Sequence, residues 1–149
     1  MAQCKTDRVD DRYAIIELTN RFACAVDEHD WRAVASVFAP DVVIDYSTGT
    51  HLVGPDAMVK LIRGVLDGSG PSQHLVGNFI VDVDGDRARA SCYVRTFIAG
   101  APGSPVADSA YENFAVYHDE LVRTDGVWRV AQRRADILHE HGDLRVLGR

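Results

Sequence analysis

Cysteine is scarce in this chain: Cys4, Cys24 and Cys92 are the only three among 149 residues. An odd, scattered set with no C-x-x-C pair excludes a disulfide framework and a zinc ribbon. It fits a reducing cytoplasm, which is the expected location. Long apolar runs are missing as well. None approaches the ~20 residues that a helix needs to cross a bilayer, so no membrane partner is expected. Met1 to Asp11 is polar and lacks the apolar segment of a secretory leader. Basic residues are in deficit, 16 Lys and Arg against 22 Asp and Glu, for a formal net charge of −6. The arginines are dispersed rather than gathered into the stripe that phosphate backbones require, which excludes nucleic acid as a partner. Walker loops, dinucleotide fingerprints and H-E-x-x-H are absent too, so neither a cofactor nor a metal is expected.

What remains is the composition of an ordinary globular protein, with 46% hydrophobic and 26% charged residues. The length suits one domain over residues 1–149, with about 1–9 and 140–149 as terminal tails. Ile15, Leu18, Phe22 and Val26 recur at steps of three and four and predict a helix from about Asp10 to Val26. Asp30 is a good cap for a second, shorter helix with Trp31, Val34, Val37 and Phe38 on its inner side, ended by Pro40. "DVVIDYS" (Asp41 to Ser47) reads as a strand and "GTHLV" as its short partner. Gly54-Pro55-Asp56 opens a third helix, with Met58, Leu61, Ile62, Val65 and Leu66 as its stripe and Gly68 as its stop.

Beyond Gly68 the pattern turns to strands. "HLVGNFIVDV" and "RARASCYVRTFI" flank the hairpin signal "DGD" at Asp84 to Asp86. Further strands are expected from about Tyr111 to Arg123 and from Val127 to about Leu138. Three helices followed by a meander of long strands define an α+β class, a cone of helices laid on one face of a strongly curved, mainly antiparallel sheet. Such a curl encloses a space suited to a small molecule.

His74 opens the first long strand, and simple alternation puts it on one apolar face with Val76, Asn78 and Ile80. Asp27, in "AVDEHDW", closes the first helix. A helix packed across the sheet can bring its end to that face, where a carboxylate that orients an imidazole makes a general base without a metal. Glu28 and His29 are expected to face solvent. Phe22, Trp31 and Tyr46 suit a pocket wall as well as a core. Asn78 is a candidate contact or a strand tie. For Arg133 a surface ion pair and an inward position both remain open. "HEHGD" (His139 to Asp143) resembles a metal site by composition but lacks the further ligands, and is expected to be a polar tail.

At these residues the chain resembles the SnoaL-like branch of a cone-shaped superfamily. That superfamily includes scytalone dehydratase, hexachlorocyclohexane dehydrochlorinase, bile acid 7α-dehydratase and nuclear transport factor two. The resemblance rests on "LTNRFACAVDEHDWRAVASVFAPDVVIDY", "GPDAM", "HLVGN", "VDGDRARA" and "LVRTDGVWRVAQR", in the family's order over nearly the whole chain. It implies a catalytic pair of His74 and Asp27, a substrate contact at Tyr46 and a pocket arginine at Arg133. It also implies homo-oligomers, dimers or trimers. Five residues before the aspartate the two latter lyases carry a lysine or tyrosine where Phe22 stands here, so the resemblance does not supply that contact. The expectation is a cofactor-independent lyase of dehydratase type, or an isomerase. Its substrate would be a small, largely apolar carbonyl-bearing or polycyclic molecule, with a polyketide cyclase or a non-catalytic binding module as alternatives.

Overall fold

The computed structural model describes residues 5–148; Cys4 and the first residues of the expected N-terminal tail lie outside them. Helix α1 runs over Lys5–Asp27, starting earlier than the apolar periodicity suggests. Ile15, Thr19, Phe22 and Val26 form its buried stripe, with Leu18 at the margin. The chain then reverses through His29, whose φ of 58° places it in the left-handed region. Helix α2, Trp31–Ser36, starts where the Asp30 side chain accepts a hydrogen bond from the Ala33 N–H at 3.0 Å. It stops before Pro40, which lies inside strand β1, Phe38–Tyr46, where the pairing register shifts between Phe38 and Val43. Proline is tolerated there because the ladder is already interrupted.

Strand β2, His51–Val53, pairs with β1, and helix α3, Pro55–Leu66, follows with proline in its first turn. The rest is the meander of β3, Ser72–Asp84; β4, Arg87–Ala99; β5, Ala110–Thr124; and β6, Val127–Gly142. The six strands lie in the order β2-β1-β6-β5-β4-β3, with β1 and β6 parallel and all other neighbours antiparallel. The three helices cover the concave face of this curled, unclosed sheet. Strand β4 shows the division: Ala88, Ala90, Cys92, Val94 and Ile98 are buried, while Arg87, Arg89, Tyr93 and Arg95 face out.

Two segments depart from the sequence-based expectation. In β3 the register shifts between Gly77 and Ile80, and Asn78 takes a φ of 54°. The bulge reverses the alternation, so Phe79, Val81 and Val83 turn inward and Asn78 and Ile80 are exposed. At the other end, "HEHG" is not a tail: β6 runs through Gly142, with His139 opposite Phe114 and His141 opposite Glu112. Its letters are polar because this end of the strand, Leu138 to Gly142, is exposed. A short 3-10 turn, Leu144–Leu147, then buries Val146 and Leu147. Gly142 makes the corner with a φ of 103°, and a Cβ there would stand 2.1 Å from the Ala110 carbonyl oxygen. Gly142→Ala is therefore expected to destabilise the protein by roughly 1–3 kcal/mol, the usual cost of a strained backbone position. Chemical denaturation measures it, and an unchanged midpoint would contradict the geometry.

Candidate active site

Asp27 is the last residue of α1 and His74 the third of β3, so the packing of α1 along β3 decides whether they meet. They do. The Asp27 carboxylate accepts three hydrogen bonds: from the Ser72 hydroxyl at 2.7 Å, the His74 backbone N–H at 2.8 Å and the His74 ring Nδ1 at 2.7 Å. A carboxylate only accepts, so Nδ1 carries a proton and Nε2 holds the lone pair of the neutral ring. Among the described residues nothing bonds Nε2. The two side chains are 13% and 21% exposed, sheltered but within reach of a ligand. Burial pushes the Asp27 carboxyl up, yet the hydrogen bonds from His74 and Ser72 outweigh it and hold the group below the usual carboxylate range. Asp27 is thus an anion at neutral pH, fixed on both oxygens. Ser72 was missed by sequence reasoning, although alternation alone puts it on the His74 side two residues earlier.

His74 lines a cavity of about 210 Å³ between the helices and the concave face. Phe22 and Val26 of α1 form one wall, and the α3 stripe of Leu61, Ile62, Val65 and Leu66 a second. Tyr46 is on the wall as well, its hydroxyl donating to the Met58 sulfur at 3.7 Å. Burial raises the Tyr46 phenol above its ordinary value, against the opposing charge of Arg133, so it stays protonated and able to donate. From the sheet come Thr96, Tyr111, Asn113 and Glu140, and from the 3-10 turn Leu147. Sequence reasoning missed these. They reach the cavity through strand register and a C-terminal corner that no local pattern announces.

Three expected contacts lie elsewhere. Asn78 is exposed at the β3 bulge. Trp31 is half-buried outside the cavity, stacked on His29 with ring centroids 5.0 Å apart and facing the Arg63 guanidinium at 6.0 Å. Arg133 is turned inward but is not a cavity contact. It is 0% exposed, and its Nε and Nη2 each donate to Asp119 at 2.7 Å. Three rings pack on its guanidinium: Tyr117 at 4.2 Å, Phe22 at 4.7 Å and Phe38 at 5.5 Å. Phe22 and Tyr117 also line the cavity. The nearby Cys92 thiol is pushed up to about 12 by burial and is inert as a nucleophile. Glu28 and His29 are exposed, as expected.

A curled sheet under three helices, with a carboxylate-oriented imidazole on the wall of its cavity, defines a cone-shaped α+β protein of the nuclear transport factor two-like class. The chain belongs to the SnoaL-like domain family, whose pattern residues 7–134 match. An uncharacterised protein of Mycobacterium tuberculosis is 30% identical over 128 residues, 84% of each chain. Among solved structures, a proposed aromatic ring hydroxylase of Novosphingobium aromaticivorans is 30% identical, with a TM-score of 0.82 over 97% of this chain and 99% of its own. LinA, a hexachlorocyclohexane dehydrochlorinase, is 25% identical, with a TM-score of 0.79 over 91% and 90%.

Proposed function

We propose that the protein is a lyase or isomerase in which His74 takes a proton from a carbon atom of a small, largely apolar substrate. The observation that carries this reading is the Asp27–His74 hydrogen bond at 2.7 Å, which sets the ring tautomer and leaves Nε2 as the base at the cavity wall. Asp27 stabilises the imidazolium that forms, as the carboxylate of a catalytic triad does. Tyr46, a neutral donor, is available to the oxygen of an activating carbonyl, where charge develops as the proton leaves. The carbanion or enolate then collapses by expelling a group from the neighbouring carbon or by taking the proton back elsewhere. The similarity to LinA, an eliminating enzyme, supports this class of reaction.

The test needs no natural substrate. In deuterated water the protein is expected to speed exchange of the acidic hydrogens of 2-tetralone, a bicyclic ketone, followed by NMR. His74→Ala is expected to lose that acceleration. Exchange at the buffer rate with wild-type protein, or undiminished exchange with His74→Ala, would overturn the proposal.

A further inference from the structure

The strand register draws a line of polar groups along the cavity wall, from half-buried His74 to exposed Glu140. His74 of β3 pairs with Thr96 of β4, Thr96 with Asn113 of β5, and Asn113 with Glu140 of β6. All four line the cavity. Three strand spacings separate the ends of this row, ~14 Å along the sheet, a gap narrowed by the inward curl and by side chains reaching in from both ends. At the far end Tyr111, two residues before Asn113 on the same face, is buried and donates its hydroxyl to Glu140 Oε1 at 2.5 Å. The Asn113 side-chain amide donates back to the Tyr111 hydroxyl at 3.3 Å. Glu140 is thereby held in place on one oxygen, and among the described residues its Oε2 has no partner.

Charge makes this end distinctive. Among the described residues no lysine or arginine lines the cavity, and Glu140 is the only acidic side chain that does. Arg133, the one buried cation among the described residues, is already engaged by Asp119. A carboxylate whose second oxygen and surroundings hold no cation among the described residues accepts hydrogen bonds and repels anions. We propose that Glu140, braced by Tyr111, determines specificity by selecting ligands that carry a hydrogen-bond donor, a hydroxyl or an N–H, at the end remote from His74. The same residue rejects ligands bearing a carboxylate there. This assignment rests on the proposed role of the His74 site, because it treats the cavity as the place where substrate is held. The ligand class that follows is a one- or two-ring molecule, in keeping with a cavity of about 210 Å³, with a donor at one end and the reactive carbon at the other.

Calorimetric titration with three probes of one shape tests it: 2-naphthol, 2-methoxynaphthalene and 2-naphthoate. A hydrogen bond to a charged acceptor discriminates by about 10- to 100-fold, so 2-naphthol is expected to bind tighter than 2-methoxynaphthalene by that margin. The 2-naphthoate anion is expected to bind weakest of all. In Glu140→Leu the preference for 2-naphthol should vanish and 2-naphthoate should gain affinity. Glu140→Gln keeps an acceptor and the Tyr111 contact but loses the charge, so it should retain part of the naphthol preference while admitting the anion. His74→Ala should keep the wild-type ranking, which separates this site from the base: loss of the ranking there would assign the donor contact to His74 and overturn the proposal. Equal affinities for 2-naphthol and its methyl ether, the absence of saturable 2-naphthol binding, or an unchanged ranking in folded Glu140→Leu would overturn it equally. None of these results bears on whether His74 abstracts a proton.

Discussion

Replacing His74 by alanine is expected to lower turnover by ~10²–10⁴-fold, the usual contribution of a positioned general base. Alanine leaves Asp27 with Ser72 and the residue-74 backbone N–H as donors, so the end of α1 stays tied to β3 and the fold should survive. Asp27→Asn is expected to be nearly as damaging. An amide can offer the ring an N–H where the carboxylate only accepts, which permits the wrong tautomer, and it cannot stabilise an imidazolium. Groups that work as a unit are not additive, so the double variant should be little slower than the worse single one. Ionisation of Asp27 is not expected to limit the rate near neutral pH. Its folded-state carboxyl lies below the ordinary range, so it is already ionised, and the stability it contributes is present above that range and lost only as strong acid protonates it. Steady-state kinetics on any turned-over ketone, with circular dichroism as a folding check, measures all of this. A folded His74→Ala protein at the wild-type rate would leave the dyad without a catalytic role.

The contact between Asp27 and His74 joins residues 47 positions apart, and local pattern alone could not make it. Periodicity placed Asp27 at a helix end and His74 on an inward strand face; the resemblance to a family brought the two together. Helix order, hairpin turns and the buried face of β4 were legible because each is written in the nearest few residues. The bulge in β3 was not. An asparagine in the left-handed region reads in sequence as one more alternating position, and with it Asn78 was assigned to the wrong face. The polar letters of "HEHGD" misled for a related reason. They describe the exposed end of a paired strand, and a strand whose partner is remote in sequence, as Asn113 is from Glu140, carries no local sign of it. Trp31 shows the limit of composition: a large aromatic near a helix start fits a cavity wall or an outer stack equally well, and only packing separates them.

Arg133 is where sequence left a surface ion pair and an inward position open; the structure turns it inward, in a buried ion pair with Asp119, which makes that partner the most consequential residue outside the cavity. Asp119→Ala is expected to cost ~3–5 kcal/mol, because it strands a fully buried guanidinium without its counter-charge. That is a large share of the ~5–15 kcal/mol by which domains of this size are stable. The rings do not replace the carboxylate. Tyr117, Phe22 and Phe38 offer the cation their negative faces, and Nη1, the one buried side-chain polar atom without a hydrogen bond among the described residues, already depends on them. Burial works against the charged form of Arg133, and Asp119 more than compensates, raising the group above its ordinary value so that it cannot escape by losing its proton. Removing both charges is a different matter: Asp119→Leu with Arg133→Met fills the space with apolar atoms and should recover most of the loss. Thermal and urea unfolding of the three proteins decide it, at roughly 2–4 °C in Tm per kcal/mol for a chain of this length. Asp119→Ala within 1 kcal/mol of wild type would mean that the rings and solvent carry the charge unaided. The consequence reaches the cavity. Phe22 and Tyr117 both pack on the guanidinium and line the ligand space. An ion pair that never touches substrate therefore holds two of the walls that shape it, and the double variant, stable but without that clamp, should bind 2-naphthol less tightly than wild type.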